Sequence, residues 1–107
     1  MVKELTPREF VDLRAGGRAM TLVDVREDWE IGLAPVPSEH LHIPMGQIQA
    51  RLAELDPAKE TVVICRSGGR SLNVAGFLER QGFRSVYNLS GGILAWSRDL
   101  DPTIPTY

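Results

Sequence analysis

Cys65 closes the apolar run Val62, Val63, Ile64 and opens the stretch CRSGGRS, made of Cys65, Arg66, Ser67, Gly68, Gly69, Arg70 and Ser71. It is the only cysteine in the chain. A free cysteine at the end of an apolar strand is ordinarily a small buried hydrophobe. Its neighbours point elsewhere. Ligands of open α/β sheets bind beyond the carboxyl ends of the strands. A glycine-containing loop that leads into a helix aims main-chain N–H groups and the positive end of the helix dipole at that place. Gly68 and Gly69 permit the tight turns of such a nest. Arg66 and Arg70 add fixed positive charge. Each of these favours thiolate over thiol, so Cys65 is expected to have a depressed pKa and to act as a nucleophile. The same donors would hold an anion presented to the sulfur.

The elements that must position this loop follow from the flanking patterns. Thr6, Pro7 and Glu9 read as N-cap, first turn and capping-box acid of a helix that carries Phe10 and Leu13 and stops at Gly16 and Gly17. Residues 21–25 (TLVDV) form a short buried strand. A charged loop or short helix at 26–30 carries Trp29, and 32–39, with Pro35 and Pro37, is extended. Residues 40–43 suit a short strand, and 44–55 a helix with Ile48, Leu52 and Leu55 on one stripe. The most apolar strand, 61–65, should be central. Residues 71–81 read as a helix with Leu72, Val74, Ala75, Phe77 and Leu78 inward and Gly82 as its stop. A strand at 85–89, a last helix from Gly91 and Gly92 through Trp96, and an extended tail complete the chain. Short buried strands alternating with helices imply an α/β domain with a largely parallel sheet and helices on both faces.

The bulk numbers limit what else is possible. A chain of 107 residues is expected to be a single domain, 1–107. With 12 Lys and Arg against 14 Asp and Glu the net charge is -2, so no global basic field recruits nucleic acid or an anionic membrane. The first residues have no apolar signal region and no later run reaches membrane-span length, which makes a cytoplasmic location the expectation. No glycine motif for a nucleotide is present, and no cofactor is implied.

The loop CRSGGRS resembles the active-site loop of the rhodanese (thiosulfate sulfurtransferase) family. Agreement extends to Asp24-Val-Arg-Glu27, His42-Ile-Pro44, Asn88-Leu-Ser-Gly-Gly92 and Gly92-Ile-Leu-Ala-Trp96, in order along nearly the whole chain. The resemblance implies a five-stranded, mainly parallel sheet and a two-step sulfur transfer. Cys65 would take the outer sulfur of thiosulfate or of a persulfide-bearing protein and hold it as a persulfide. An external acceptor would then remove it: cyanide, a thiol, or a thioredoxin-like or sulfur-relay protein. The loop amides of 66–71 would cradle the charge, Arg66 and Arg70 would contact the donor, and Asp24 and Arg26 would support the loop from behind. For Arg70 the alternative role is a salt bridge to Asp24 or Glu27. The sequence departs from the family pattern at Leu41-His-Ile-Pro-Met-Gly46 and in the proline-rich 33–40, which bears on substrate access. With no second thiol, a Cys65 persulfide cannot be resolved by an internal disulfide.

Three other readings stand beside this one. A cysteine phosphatase or arsenate-type enzyme uses similar parts, but its loop spaces cysteine and arginine by five residues, whereas four separate Cys65 from Arg70. A non-catalytic binding domain on the same fold is the second. Zinc held by His40, His42 and Cys65 is the third, without the spacing of a metal motif.

Overall fold

The computed structural model describes all 107 residues. Its elements are β1 (Lys3–Leu5), α1 (Pro7–Ala15), β2 (Met20–Asp24), α2 (Asp28–Leu33), β3 (Leu41–His42), β4 (Glu60–Ile64), α3 (Gly69–Arg80), β5 (Val86–Leu89) and α4 (Gly92–Asp99), with 3-10 turns at Met45–Gln47 and Leu52–Glu54. All strand pairings are parallel, in the order β1-β5-β4-β2-β3.

That order places β4 at the centre, where both of its faces are covered. Its side chains alternate accordingly. Val62 and Ile64 join Leu22, Leu89, Phe10, Ile93 and Trp96 in the core beneath α1 and α4. Val63 and Cys65 join Val23, Val25, Val74, Ala75 and Leu78 beneath α3. The chain runs from β2 outward to β3, then crosses back to β4 on the other side of β2. The ends of β2 and β4 therefore flank a topological switch point, where the connecting loops diverge and leave a crevice. Cys65 follows β4 there, and Asp24 ends β2.

Local chemistry fixes the first helix as expected. Thr6 Oγ1 accepts from the Glu9 amide at 3.1 Å, and Glu9 Oε1 accepts from the Thr6 amide at 2.8 Å. Such a box is worth about 1 kcal/mol. Gly82 ends α3 with φ +92, a conformation that suits glycine.

Four expectations are corrected. Residues 44–55 are not a helix but two 3-10 turns. Ile48 and Leu55 are buried as the stripe predicts and Leu52 is half-buried, yet Gly46 weakens a helix there and most other side chains between Met45 and Glu54 are exposed, so the segment has little continuous face to bury. Leu72, expected inward, is 47% exposed, because the buried face of α3 runs through Ser71, Val74, Ala75 and Leu78 and Leu72 falls outside it. Gly32 and Leu33 belong to α2 rather than to the extended stretch. Finally, β1 supplies the fifth strand from only three residues, KEL, of which Leu5 alone is buried.

Candidate active site

The loop from Cys65 to Ser71 curls around the cysteine sulfur. The Gly68 amide donates to Sγ at 3.1 Å, from a residue whose φ of +111 only glycine adopts freely. Ser71 Oγ lies 3.2 Å from Sγ. What turns these donors inward is the start of α4. The Ile93 amide donates to the Cys65 carbonyl at 2.9 Å and the Leu94 amide to the Arg66 carbonyl at 3.1 Å. With its carbonyls held outward, the loop has its amides left for the sulfur. Gly92 makes this approach possible: at φ +58, a Cβ there would fall 2.5 Å from the Cys65 oxygen and nearer still to that of Arg66.

Burial and hydrogen bonding oppose each other at the sulfur. Cys65 is only 1% exposed, more enclosed than a reactive cysteine at a crevice is expected to be. Burial pushes its thiol up, but the Ser71 hydroxyl and the amides of Ser71, Gly68 and Ser67 push it down and prevail, leaving the pKa below its ordinary value. Ser71 has one proton and two claimants for it. Its hydroxyl donates to Asn88 Oδ1 at 2.5 Å. The amide group of Asn88 is fixed in that sense, because its Nδ2 faces Gly68 O and the Glu4 carboxylate at 3.3 Å. When Cys65 ionises, the Ser71 proton must turn from Asn88 to the sulfur.

Around the mouth, side chains replace main chain. Arg26 is wholly buried and grips the equally buried Asp24, with Nη2 to Oδ2 at 2.9 Å and Nε at 3.1 Å from both oxygens. Its Nη2 also donates to Ala34 O at 2.8 Å. Removing one partner of such a pair costs about 3–5 kcal/mol, so Asp24 and Arg26 form a frame. Arg70 does not pair with Asp24 or Glu27, as the sequence suggested for its structural role. It donates from Nη1 and Nη2 to the two oxygens of Glu30, at 2.6 and 2.8 Å. The Arg70 guanidinium, opposed by burial and aided by the Glu27 amide and the Tyr107 phenol, holds the Glu30 carboxyl at about 2.

Tyr107 ties this rim together. Its phenol accepts from Arg26 Nη1 at 3.0 Å and donates to Glu30 Oε2 at 2.7 Å. Its main-chain oxygen accepts from Arg66 Nε at 2.5 Å and also from Arg66 Nη2. The Arg66 guanidinium lies 5.2 Å from the centre of the Tyr107 ring, and Trp29, 63% exposed, meets that ring edge-on at 5.8 Å.

The structure thus brings together Cys65, Ser67, Gly68 and Ser71 at the floor, with Gly69 opening α3, and places Arg66 and Arg70 at the rim, with the buried Asp24–Arg26 pair joined to it through Tyr107. Glu30, Asn88, Gly92 and Tyr107 were not read as site residues. The segment from Asn88 to Gly92 carried a family motif, but Glu30 and Tyr107 gave no local signal. His42 Nε2 pairs with the Arg26 carbonyl and His40 Nδ1 with that of Ser38, so neither ring is directed to Cys65. No three His, Cys, Asp or Glu side chains gather as a metal site would require. A phosphatase needs a protonated carboxyl for its leaving group. Asp24 is locked to Arg26, Glu30 is fully ionised, and Asp28 is 93% exposed beside His42.

A parallel α/β sheet that presents one cysteine to main-chain donors at its switch point defines the class by fold and loop. Within that class the chain belongs to the rhodanese-like domain family, whose model matches residues 6–99. It is 37% identical over 98 residues to a protein named Sulfurtransferase from Allochromatium vinosum, covering 92% of this chain and 91% of that one. It is 47% identical over 90 residues to the Rhodanese-like/PpiC domain-containing protein 12, chloroplastic, of Arabidopsis thaliana; this match covers 80% of the chain but only 30% of that longer protein. Among solved structures, a rhodanese-like domain protein from Staphylococcus aureus superposes with a TM-score of 0.83 at 27% identity, covering 99% of each chain.

Proposed function

We propose that this protein is a sulfurtransferase in which Cys65 carries a sulfane sulfur between a donor and an external acceptor. The observation that supports this most is the Gly68 amide on Sγ, within a loop whose carbonyls are tied back by α4. In the first step the Cys65 thiolate attacks the outer sulfur of thiosulfate or of an organic persulfide. The donor S–S bond breaks, the Sγ–S bond forms, and sulfite or a thiolate leaves. The loop amides take up charge on the bound sulfur as an oxyanion hole does for oxygen. In the second step an acceptor thiolate, small or protein-borne, attacks that outer sulfur and regenerates the Cys65 thiolate. In each step one S–S bond replaces another, so the electrons balance without an added oxidant or reductant. The Allochromatium vinosum relative's name supports the same reaction type.

Incubation with thiosulfate, and separately with glutathione persulfide, should add one sulfur atom to the protein mass, removable by cyanide. Cys65→Ser should add none. Equal turnover by wild type and Cys65→Ser would overturn the reading.

A further inference from the structure

Two guanidiniums near the cradle are already ion-paired: the wholly buried Arg26 with Asp24, and Arg70 with Glu30, while the exposed Arg66 donates to the Tyr107 main-chain oxygen. The Glu30 pair is built in rather than incidental. Its carboxylate side chain is 3% exposed and receives four donors: both Arg70 nitrogens, the Glu27 amide at 3.0 Å and the Tyr107 phenol. Releasing Arg70 toward a substrate would leave a buried carboxylate without its counter-charge, a costly state.

Thiosulfate asks for the opposite arrangement. It brings two negative charges to a thiolate, and unpaired cations must offset that repulsion. An organic persulfide in its protonated form, RS–SH, brings no charge to the reacting sulfur and needs only the amide ring. We propose that Glu30 sets donor choice: by holding Arg70 at two points it neutralises that guanidinium and selects an organic persulfide over the thiosulfate dianion. This rests on the sulfur-transfer reading above and assigns its substrate class. In the selected step the Cys65 thiolate and RS–SH give Cys65–S–SH and RS⁻. One S–S bond replaces another, the proton stays on the transferred sulfur, and the electron pair of the broken bond leaves with RS⁻.

The test measures single-turnover loading of the whole chain with thiosulfate and with glutathione persulfide by mass spectrometry. Glu30→Gln keeps the shape and an acceptor for the Glu27 amide, places an amide nitrogen instead of an acceptor before the Tyr107 phenol, and frees the charge of Arg70. The ratio of thiosulfate to persulfide rate constants should rise about tenfold or more, as expected when one cation at a site is unmasked. An unchanged ratio overturns the role of Glu30. Wild type alone supplies a second readout that does not depend on the variant folding. It should load from glutathione persulfide several-fold faster than from thiosulfate, as expected where the thiolate–dianion repulsion is not offset by Arg70. The reverse preference would overturn the proposal. If neither donor adds sulfur to wild type, the sulfurtransferase reading itself fails; if both do and the ratio does not move, only the assignment to Glu30 fails.

Discussion

The floor and the rim of the cradle are built from different materials. At the floor, main-chain amides face a single sulfur, and every one of them depends on where the backbone runs. At the rim, guanidiniums dominate, yet each already has an acceptor from elsewhere in the fold. The floor therefore has donors left for the sulfur, whereas the charges of Arg26 and Arg70 are balanced by Asp24 and Glu30. On the sulfur-transfer reading proposed above, activation of the nucleophile and admission of its partner are separable properties, one set by chain path and the other by side-chain pairing.

The most damaging way to break this contrast is to move the floor without touching any polar group. Gly92→Ala sets a Cβ against the carbonyls of Cys65 and Arg66, so α4 must withdraw and the loop amides lose their aim. Sulfur loading should fall on the order of 100-fold, as for displacements of about 1 Å at other active sites. Near-normal loading in this variant would mean that chain path is not what activates the sulfur.

The rim should announce itself in stability instead. Glu30 is depressed from an ordinary 4.5 to about 2 by Arg70. A carboxylate lowered on folding contributes stability that is complete above its unfolded pKa and disappears as pH falls through the folded one. Denaturant unfolding should therefore lose on the order of 3 kcal/mol between pH 4.5 and 2, and Glu30→Gln should flatten that part of the profile. A profile that Glu30→Gln leaves as steep would remove the Arg70 pair from the stabilising contacts.

A smaller change sharpens the picture within the floor. Asn88→Ala removes the competitor for the Ser71 proton and leaves that proton to the sulfur. The pH midpoint of Cys65 alkylation by iodoacetamide should move downward. An upward move would show that Asn88 acts through its hold on Gly68 O rather than through Ser71.

The same division governs what could be read from sequence. The floor was legible because CRSGGRS is contiguous: strand end, glycines and helix start lie side by side in the chain, and each has a local physical meaning. The rim was not. Arg70 and Glu30 are 40 residues apart, and Tyr107 meets Glu30 across 77, so only the folded sheet reveals which carboxylate serves which guanidinium. Among the elements, the capping box at Thr6 and the central strand were plain because their signals are strong and short-range. The three residues of β1 are too few to carry a pattern, and the stripe at 44–55 imitates a helix because Ile48, Leu52 and Leu55 repeat at helical spacing while Ile48 closes one short turn and Leu52 and Leu55 bound another.

The two amides that tie back the carbonyls of Cys65 and Arg66 belong to α4, well downstream of the cysteine in the chain. The sulfur transfer proposed above therefore depends on a helix that contributes no side chain to the sulfur and acts only by where it docks.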